Sequence, residues 1–159
     1  MTSNVQVGQK APDFKLVDNE FKSRSLIDFQ GSNLVLAFFP GAFTSVCTKE
    51  MCTFRDSLAN LGTLKARVVG ISVNDPWSSK AFAEKNMLNF PLLCDYNREA
   101  TRLYGVELHN FGGLPGYVAA KRSVFIVDKQ GTVRYVWVSD DPKVEPNYAE
   151  IAKFLEQIT

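Results

Sequence analysis

Residues Asn33 to Phe39 read Asn-Leu-Val-Leu-Ala-Phe-Phe, apolar without interruption after the first position. A strand with one face in water alternates apolar and polar residues. A run with no alternation therefore fits a strand covered on both faces, as in a parallel sheet flanked by helices. Such an arrangement needs a chain that can cover two faces at once. The 159 residues are 45% hydrophobic and 12% aromatic, enough for a sizeable core and too apolar for a disordered polypeptide. A length of this order predicts a single domain over residues 1–159.

A helix is predicted almost at once after this strand, from Ser45 to Leu61, where Cys47, Met51, Phe54, Leu58 and Leu61 recur at steps of 4, 3, 4 and 3. Thr44 or Ser45 can cap its start, and Gly62 can supply the left-handed residue that stops it. Arg67 to Val73 reads as a second buried strand, followed by a helix over Trp77 to Leu88 with Asp75 as N-cap and Pro76 at the first helical position. Phe90 to Cys94 is a third apolar strand, and Asn97 to Tyr104 a short helix ending before Gly105.

A Gly-rich loop from His109 to Tyr117 leads to Ser123–Val127 and Thr132–Val138, which flank Asp128-Lys129-Gln130-Gly131 as the strands of a hairpin. Asn147 to Ile158 closes the chain as an amphipathic helix. Before all of these, Val5, Val7, Phe14, Leu16 and Val17 are interleaved with Gly8, Pro12 and Asp18-Asn19, which predicts an N-terminal β-hairpin. The fold class is α/β: a mixed central sheet with helices on both faces. A thioredoxin-like fold fits this order of elements, as do other α/β sandwiches.

Charge narrows the partners. Eighteen Lys+Arg against seventeen Asp+Glu give a formal net charge of +1, too little for the counterion release that drives nucleic-acid binding or for attachment to an anionic membrane. The longest apolar run, Leu34 to Pro40, is far short of the ~20 residues needed to cross a bilayer. Three cysteines cannot all pair within one chain, and no signal-peptide pattern opens the sequence, so the expected location is cytoplasmic.

The stretch Phe39-Pro40-Gly41-Ala42-Phe43-Thr44-Ser45-Val46-Cys47-Thr48-Lys49-Glu50-Met51-Cys52 carries the chemistry. A thiol in the first turn of a helix lies near unpaired backbone N–H groups and the positive end of the macrodipole, which favour thiolate over thiol. Thr44, three residues earlier, can bring its hydroxyl to the sulfur or to an oxygen bound beside it. The same stripe with Met51, Phe54 and Leu58 equally suits a cysteine packed in the core.

The pattern Pro40-x3-Thr44-x2-Cys47 resembles the active-site signature of the peroxiredoxins. Cys47-Thr48-Lys49-Glu50-Met51-Cys52-Thr53-Phe54-Arg55-Asp56 is similar to the Cys-x4-Cys helix of the bacterioferritin comigratory protein (PrxQ) group of the AhpC/TSA superfamily. The segments Phe90–Asp95 and Arg122–Asp128 resemble further stretches of the same family, so the likeness extends over nearly the whole chain. It implies a thioredoxin-like fold and reduction of hydrogen peroxide or organic hydroperoxides by an oxidoreductase. Cys47 would be the peroxidatic thiol, Arg122 the cation near it, and Pro40 and Thr44 the pocket walls. A thioredoxin-like or other dithiol would be the reductant, and a homodimer is compatible with the resemblance.

Attack of a thiolate on an O–O bond gives a sulfenic acid, so the site must stabilise first the thiolate and then the leaving oxygen. The Thr44 hydroxyl, the Cys47 N–H and the Arg122 guanidinium are the candidate donors, with Glu50 to orient the arginine. Glu50 could equally be a solvated helical carboxylate, and an arginine before a strand is more often a surface charge. Cys52 is the candidate resolving thiol. In an ideal helix the Cα atoms of residues five apart are ~8 to 9 Å apart and ~140° around the axis, beyond the ~7 Å a disulfide spans. A Cys47–Cys52 bond therefore requires local unwinding.

Alternatives stay open. An external thiol could reduce Cys47 directly in a one-cysteine cycle, with Cys52 inert. Oxidation of Cys47 could serve a redox sensor or holdase without turnover. Cys94, at a strand end, reads as a small buried hydrophobe and remains a second candidate for resolution. His109 and the cysteines match no metal-ligand spacing, and Gly112-Gly113-Leu114-Pro115-Gly116 matches no phosphate-binding loop, so neither metal nor cofactor is implied.

Overall fold

The structure, a computed structural model, describes residues 4–63 and 66–159. The uninterrupted apolar segment forms β3 (Asn33–Phe38), every residue of which is buried. It lies between β4 (Ala66–Ser72), parallel to it, and β8 (Ser123–Val127), antiparallel to it. The remaining strands of this sheet are β1 (Lys15–Asp18), β2 (Ser23–Ser25), β5 (Leu92–Cys94) and β9 (Val133–Val138), in the order β2-β1-β5-β4-β3-β8-β9. β1 and β2 make the N-terminal hairpin expected from the sequence, and β8 and β9 the C-terminal one. The turn of the latter closes on Gly131, whose φ of 85° an L side chain rarely adopts.

Helices cover both faces of the sheet. One core cluster joins Val35, Ala37, Phe39, Val124 and Ile126 to Cys47, Met51 and Phe54 of α1 (Ser45–Thr63), Phe82 and Ala83 of α2 (Pro76–Lys85), and Ile151 and Leu155 of α4 (Tyr148–Ile158). The other joins Leu34, Leu36, Phe38, Val69, Ile71 and Phe125 to Phe14, Phe29, and Ala100 and Tyr104 on and just after α3 (Glu99–Leu103). Alternate residues of β3 thus point into opposite clusters, which is why its sequence cannot alternate. Among the described residues no helix is long and apolar enough to cross a membrane.

Several boundaries differ from the sequence reading. α1 continues through Gly62 to Thr63, so that glycine does not stop it. α2 ends at Lys85 rather than Leu88, because Asn86 closes its last turn and Met87 turns to φ 51°. Its start is as expected: the Asp75 carboxylate accepts from the Ser78 N–H at 2.8 Å, with Pro76 next. β5 begins at Leu92 because Pro91 has no N–H to give a ladder. A two-residue pairing of β6 (Glu107–Leu108) with β7 (Ala119–Ala120) flanks the Gly-rich loop and carries too little pattern to read from sequence.

The register that matters most is Phe38 opposite Ser123. β8 runs antiparallel to β3, so the residue before Ser123 arrives beside the residue after Phe38. Arg122 is thereby delivered to the end of β3 from which the chain leads into α1.

Candidate active site

Between β3 and α1 the chain makes a tight turn. The Thr44 carbonyl accepts from the Thr48 N–H at 2.9 Å and from the Thr48 hydroxyl at 2.8 Å, which makes Thr44 the cap of α1. Its own hydroxyl donates to the Gly41 carbonyl at 2.8 Å. Of the two partners expected for it, the sulfur or an oxygen bound beside it, the hydroxyl is not on the sulfur: its proton closes the turn, and Thr44 is half-buried. Asn74, just beyond β4, accepts from the Ala42 N–H and from the Ser72 hydroxyl, both at 2.9 Å, and so ties the turn to the neighbouring strand. Pro40 is buried at its start. Phe43 takes a left-handed φ of 67° and sets its ring edge-on to Phe82 at 5.3 Å.

Cys47 is the third residue of α1 and is 0% exposed. Its Sγ accepts from Nη2 of Arg122 at 3.2 Å. Nη1 of the same guanidinium donates to Glu50 Oε1 at 2.8 Å, while Nε and Nη2 reach the Pro142 carbonyl at 3.2 and 2.7 Å. Arg122 is 1% exposed and Glu50 0%, so both depart from the surface charges that such residues usually are. Neither could be placed so deeply without the other.

Burial pushes the Glu50 carboxyl up to about 7, against the pull of Arg122 and with a further push from Glu145. Burial acts to lower the Arg122 guanidinium, but the negative charges of Glu50 and Cys47 more than offset it and hold it above its ordinary range. Glu50 Oε2 has no hydrogen-bond partner among the described residues. The loop carrying Pro142 is fixed in turn: Tyr148 donates to Glu145 Oε1 at 2.7 Å, and Lys49 meets Glu145 Oε2 at 3.1 Å. Tyr148 also packs edge-on against Phe54 at 5.3 Å.

The AhpC/TSA family model matches residues 7–136. The chain belongs to the AhpC/TSA family. It is 38% identical over 154 residues to a chloroplastic peroxiredoxin Q of Gentiana triflora, covering 97% of this chain and 68% of that one. The peroxidoxin BcpB of Mycobacterium tuberculosis superposes with a TM-score of 0.84 at 31% identity, over 98% of this chain and 99% of the other. A peroxiredoxin-like protein from Aquifex aeolicus gives 0.83 at 28% identity, over 98% and 88%. With these relatives this AhpC/TSA protein is a peroxiredoxin, a thiol-dependent peroxidase, on a thioredoxin-like fold.

The other thiols of this peroxiredoxin sit apart from the first. All three cysteines are free. Cys52 is half-buried on α1, its Sγ 3.7 Å from Asn86 Oδ1 at the end of α2, with intact helix between it and Cys47. Cys94 is 1% exposed, and burial raises its thiol. His109 is exposed in the Gly-rich loop, and among the described residues no cluster of His, Cys, Asp and Glu could hold a metal ion. A cavity of about 220 Å³ beside Ala11, Phe29 and Leu34 lies at the other end of β3 and takes no part in this site.

Sequence reasoning did not find Asn74, Pro142, Glu145 or Tyr148. Pro142 contributes only a carbonyl, which leaves no side-chain signature. Asn74 and Glu145 act through turns whose approach to α1 depends on tertiary structure.

Proposed function

We propose that Cys47 is the peroxidatic thiol, that Arg122 and the first-turn N–H of Cys47 stabilise charge there, and that Cys52 resolves the oxidised sulfur. The observation that carries this reading is the guanidinium 3.2 Å from Cys47 Sγ, aimed by Glu50 on one side and Pro142 on the other. Sulfur attacks one peroxide oxygen as a thiolate. The O–O bond breaks, Cys47 becomes a sulfenic acid, and the other oxygen leaves as water or alcohol after taking a proton. A fixed cation favours both the attacking anion and the departing oxygen without having to reorganise. Pro40 and Thr44 form the wall of the turn, and Glu50 orients the arginine.

Cys47 is 0% exposed, so an oxidant reaches its sulfur only if the residues covering it move aside. Resolution by Cys52 requires the first turns of α1 to unwind, after which an external dithiol of the thioredoxin type restores both thiols. Three free thiols fit a reducing compartment such as the cytoplasm. The seven-stranded sheet, which gathers all strands but β6 and β7, supports a single thioredoxin-like domain. Two measurements test the cycle. Cys47→Ser should abolish peroxide consumption with a dithiol donor, and a variant that still turns over refutes the assignment. One equivalent of peroxide should remove two titratable thiols and leave a Cys47–Cys52 link by mass spectrometry; loss of a single thiol with a lasting sulfenic acid would establish the one-cysteine cycle instead.

A further inference from the structure

Two groups that lie outside the Cys47 site converge on one residue. Asn86 Oδ1 accepts from Cys52 Sγ at 3.7 Å, and the Asn86 carbonyl accepts from Arg55 Nη1 at 2.6 Å. Asn86 is itself anchored to the core, since its backbone N–H and its side-chain amide both donate to the carbonyl of Phe82, at 3.2 and 3.0 Å, and Phe82 is 0% exposed. The third turn of α1 is thus tied to a rigid helix end. The turns before it are held differently. The Thr48 hydroxyl bonds back to the Thr44 carbonyl at 2.8 Å, a contact that competes with the helix ladder, and the side chains there are held from outside α1, Cys47 and Glu50 by Arg122 and Lys49 by Glu145. α1 is therefore tied to α2 from Cys52 onward and to Arg122 before it, so the two thiols are anchored to different parts of the fold.

We infer that Arg55 and Asn86 are positioning residues for disulfide formation: they keep Cys52 stationary at the end of α2, with a guanidinium on the same residue, while the segment bearing Cys47 travels to it. This rests on the resolving role proposed for Cys52. The step is Cys47–SOH plus Cys52–SH giving the disulfide and water. The S–S bond forms as the S–O bond breaks, the Cys52 sulfur is oxidised, the Cys47 sulfur is reduced, and the thiol proton leaves with the hydroxide as water. Cys52 attacks as a thiolate, which a guanidinium held on the same asparagine favours even though Asp56 Oδ1, 3.0 Å from its Nε, takes part of its charge. The bond to Asp56 holds the Arg55 guanidinium above its ordinary range.

The test separates the two chemical steps in the full-length protein after one equivalent of hydrogen peroxide. Arg55→Ala should consume peroxide at the wild-type rate but lose its second thiol about tenfold more slowly, with the Cys47 sulfenic acid trapped by dimedone meanwhile. Arg55→Lys, which restores a cation but not the planar fork, should recover most of that rate, and Asn86→Ala should slow the second step alone. A loss of purely structural origin would not be rescued by the lysine. Wild-type thiol loss in Arg55→Ala, equal slowing of both steps, or a lysine variant as slow as the alanine would overturn the inference. If the wild-type protein itself loses one thiol only, it is the resolving role of Cys52 that falls.

Discussion

The buried pair of Arg122 and Glu50 makes a demanding prediction, because removing one member strands the other. Arg122→Met keeps a long flexible side chain but loses the bond to Glu50 and both bonds to the Pro142 carbonyl. Leaving a buried charge or its partner uncompensated costs about 3–5 kcal/mol. The pH dependence gives a sharper signature. Burial raises Glu50 from its ordinary 4.5 to about 7. Between those values the folded protein holds a proton that the unfolded chain has lost. Stability therefore falls as pH rises, by about 1.4 kcal/mol per unit, and the fall ends once Glu50 ionises in the native state.

In Arg122→Met the downward pull on Glu50 is gone, so its carboxyl titrates higher still and stability keeps falling. The gap between wild type and variant should be constant below about pH 7 and widen above it, by about 1 kcal/mol or more by pH 8.5. Urea unfolding at about pH 6 and about pH 8.5 measures this, with Cys47→Ser in both proteins so that the thiol does not titrate. The double variant Glu50→Gln/Arg122→Met, compared with Glu50→Gln alone, should show a gap independent of pH. Equal gaps at both pH values in the single variant, or a double variant as pH-sensitive as the single, would refute the reasoning.

Two further predictions concern the core and the third thiol. A Cβ at Gly70 would come within 2.7 Å of Leu92 Cδ2, 3.2 Å of Phe39 Cε1 and 3.3 Å of Met51 Sδ, so Gly70→Ala should lose about 1–3 kcal/mol in denaturant unfolding; a loss below about 0.5 kcal/mol would show that the packing there yields freely. Cys94→Ala should leave peroxide turnover unchanged, with two thiols still removed per equivalent, whereas loss of only one would make Cys94 the resolving residue.

What could be read from the sequence followed from local periodicity. The apolar run of β3, the cap at Asp75 and the stripe through Cys47, Met51 and Phe54 each encode their surroundings within a few residues. The pairing of Cys47 with Arg122 lies 75 residues apart and depends on the register of β3 with β8, which no local signal carries; only the family resemblance raised Arg122 above an ordinary surface charge. Glu50 was ambiguous for the same reason, since its position on α1 does not say whether a cation will be delivered to it. The Thr44 hydroxyl donates to the Gly41 carbonyl, a bond within the turn that its spacing from Cys47 does not show. Gly62 reads as a stop because a glycine inside a helix looks, in sequence, like one just past its end.

The Pro142 carbonyl, which holds two nitrogens of Arg122, belongs to a segment kept in place by the last helix, where Ile151 and Leu155 share a core with Cys47. During synthesis the cysteine emerges long before that helix does. A nascent chain with its sulfur already outside the ribosome still lacks the brace that aims the guanidinium. The guanidinium is thus aimed at Cys47 only in a chain whose last helix has docked.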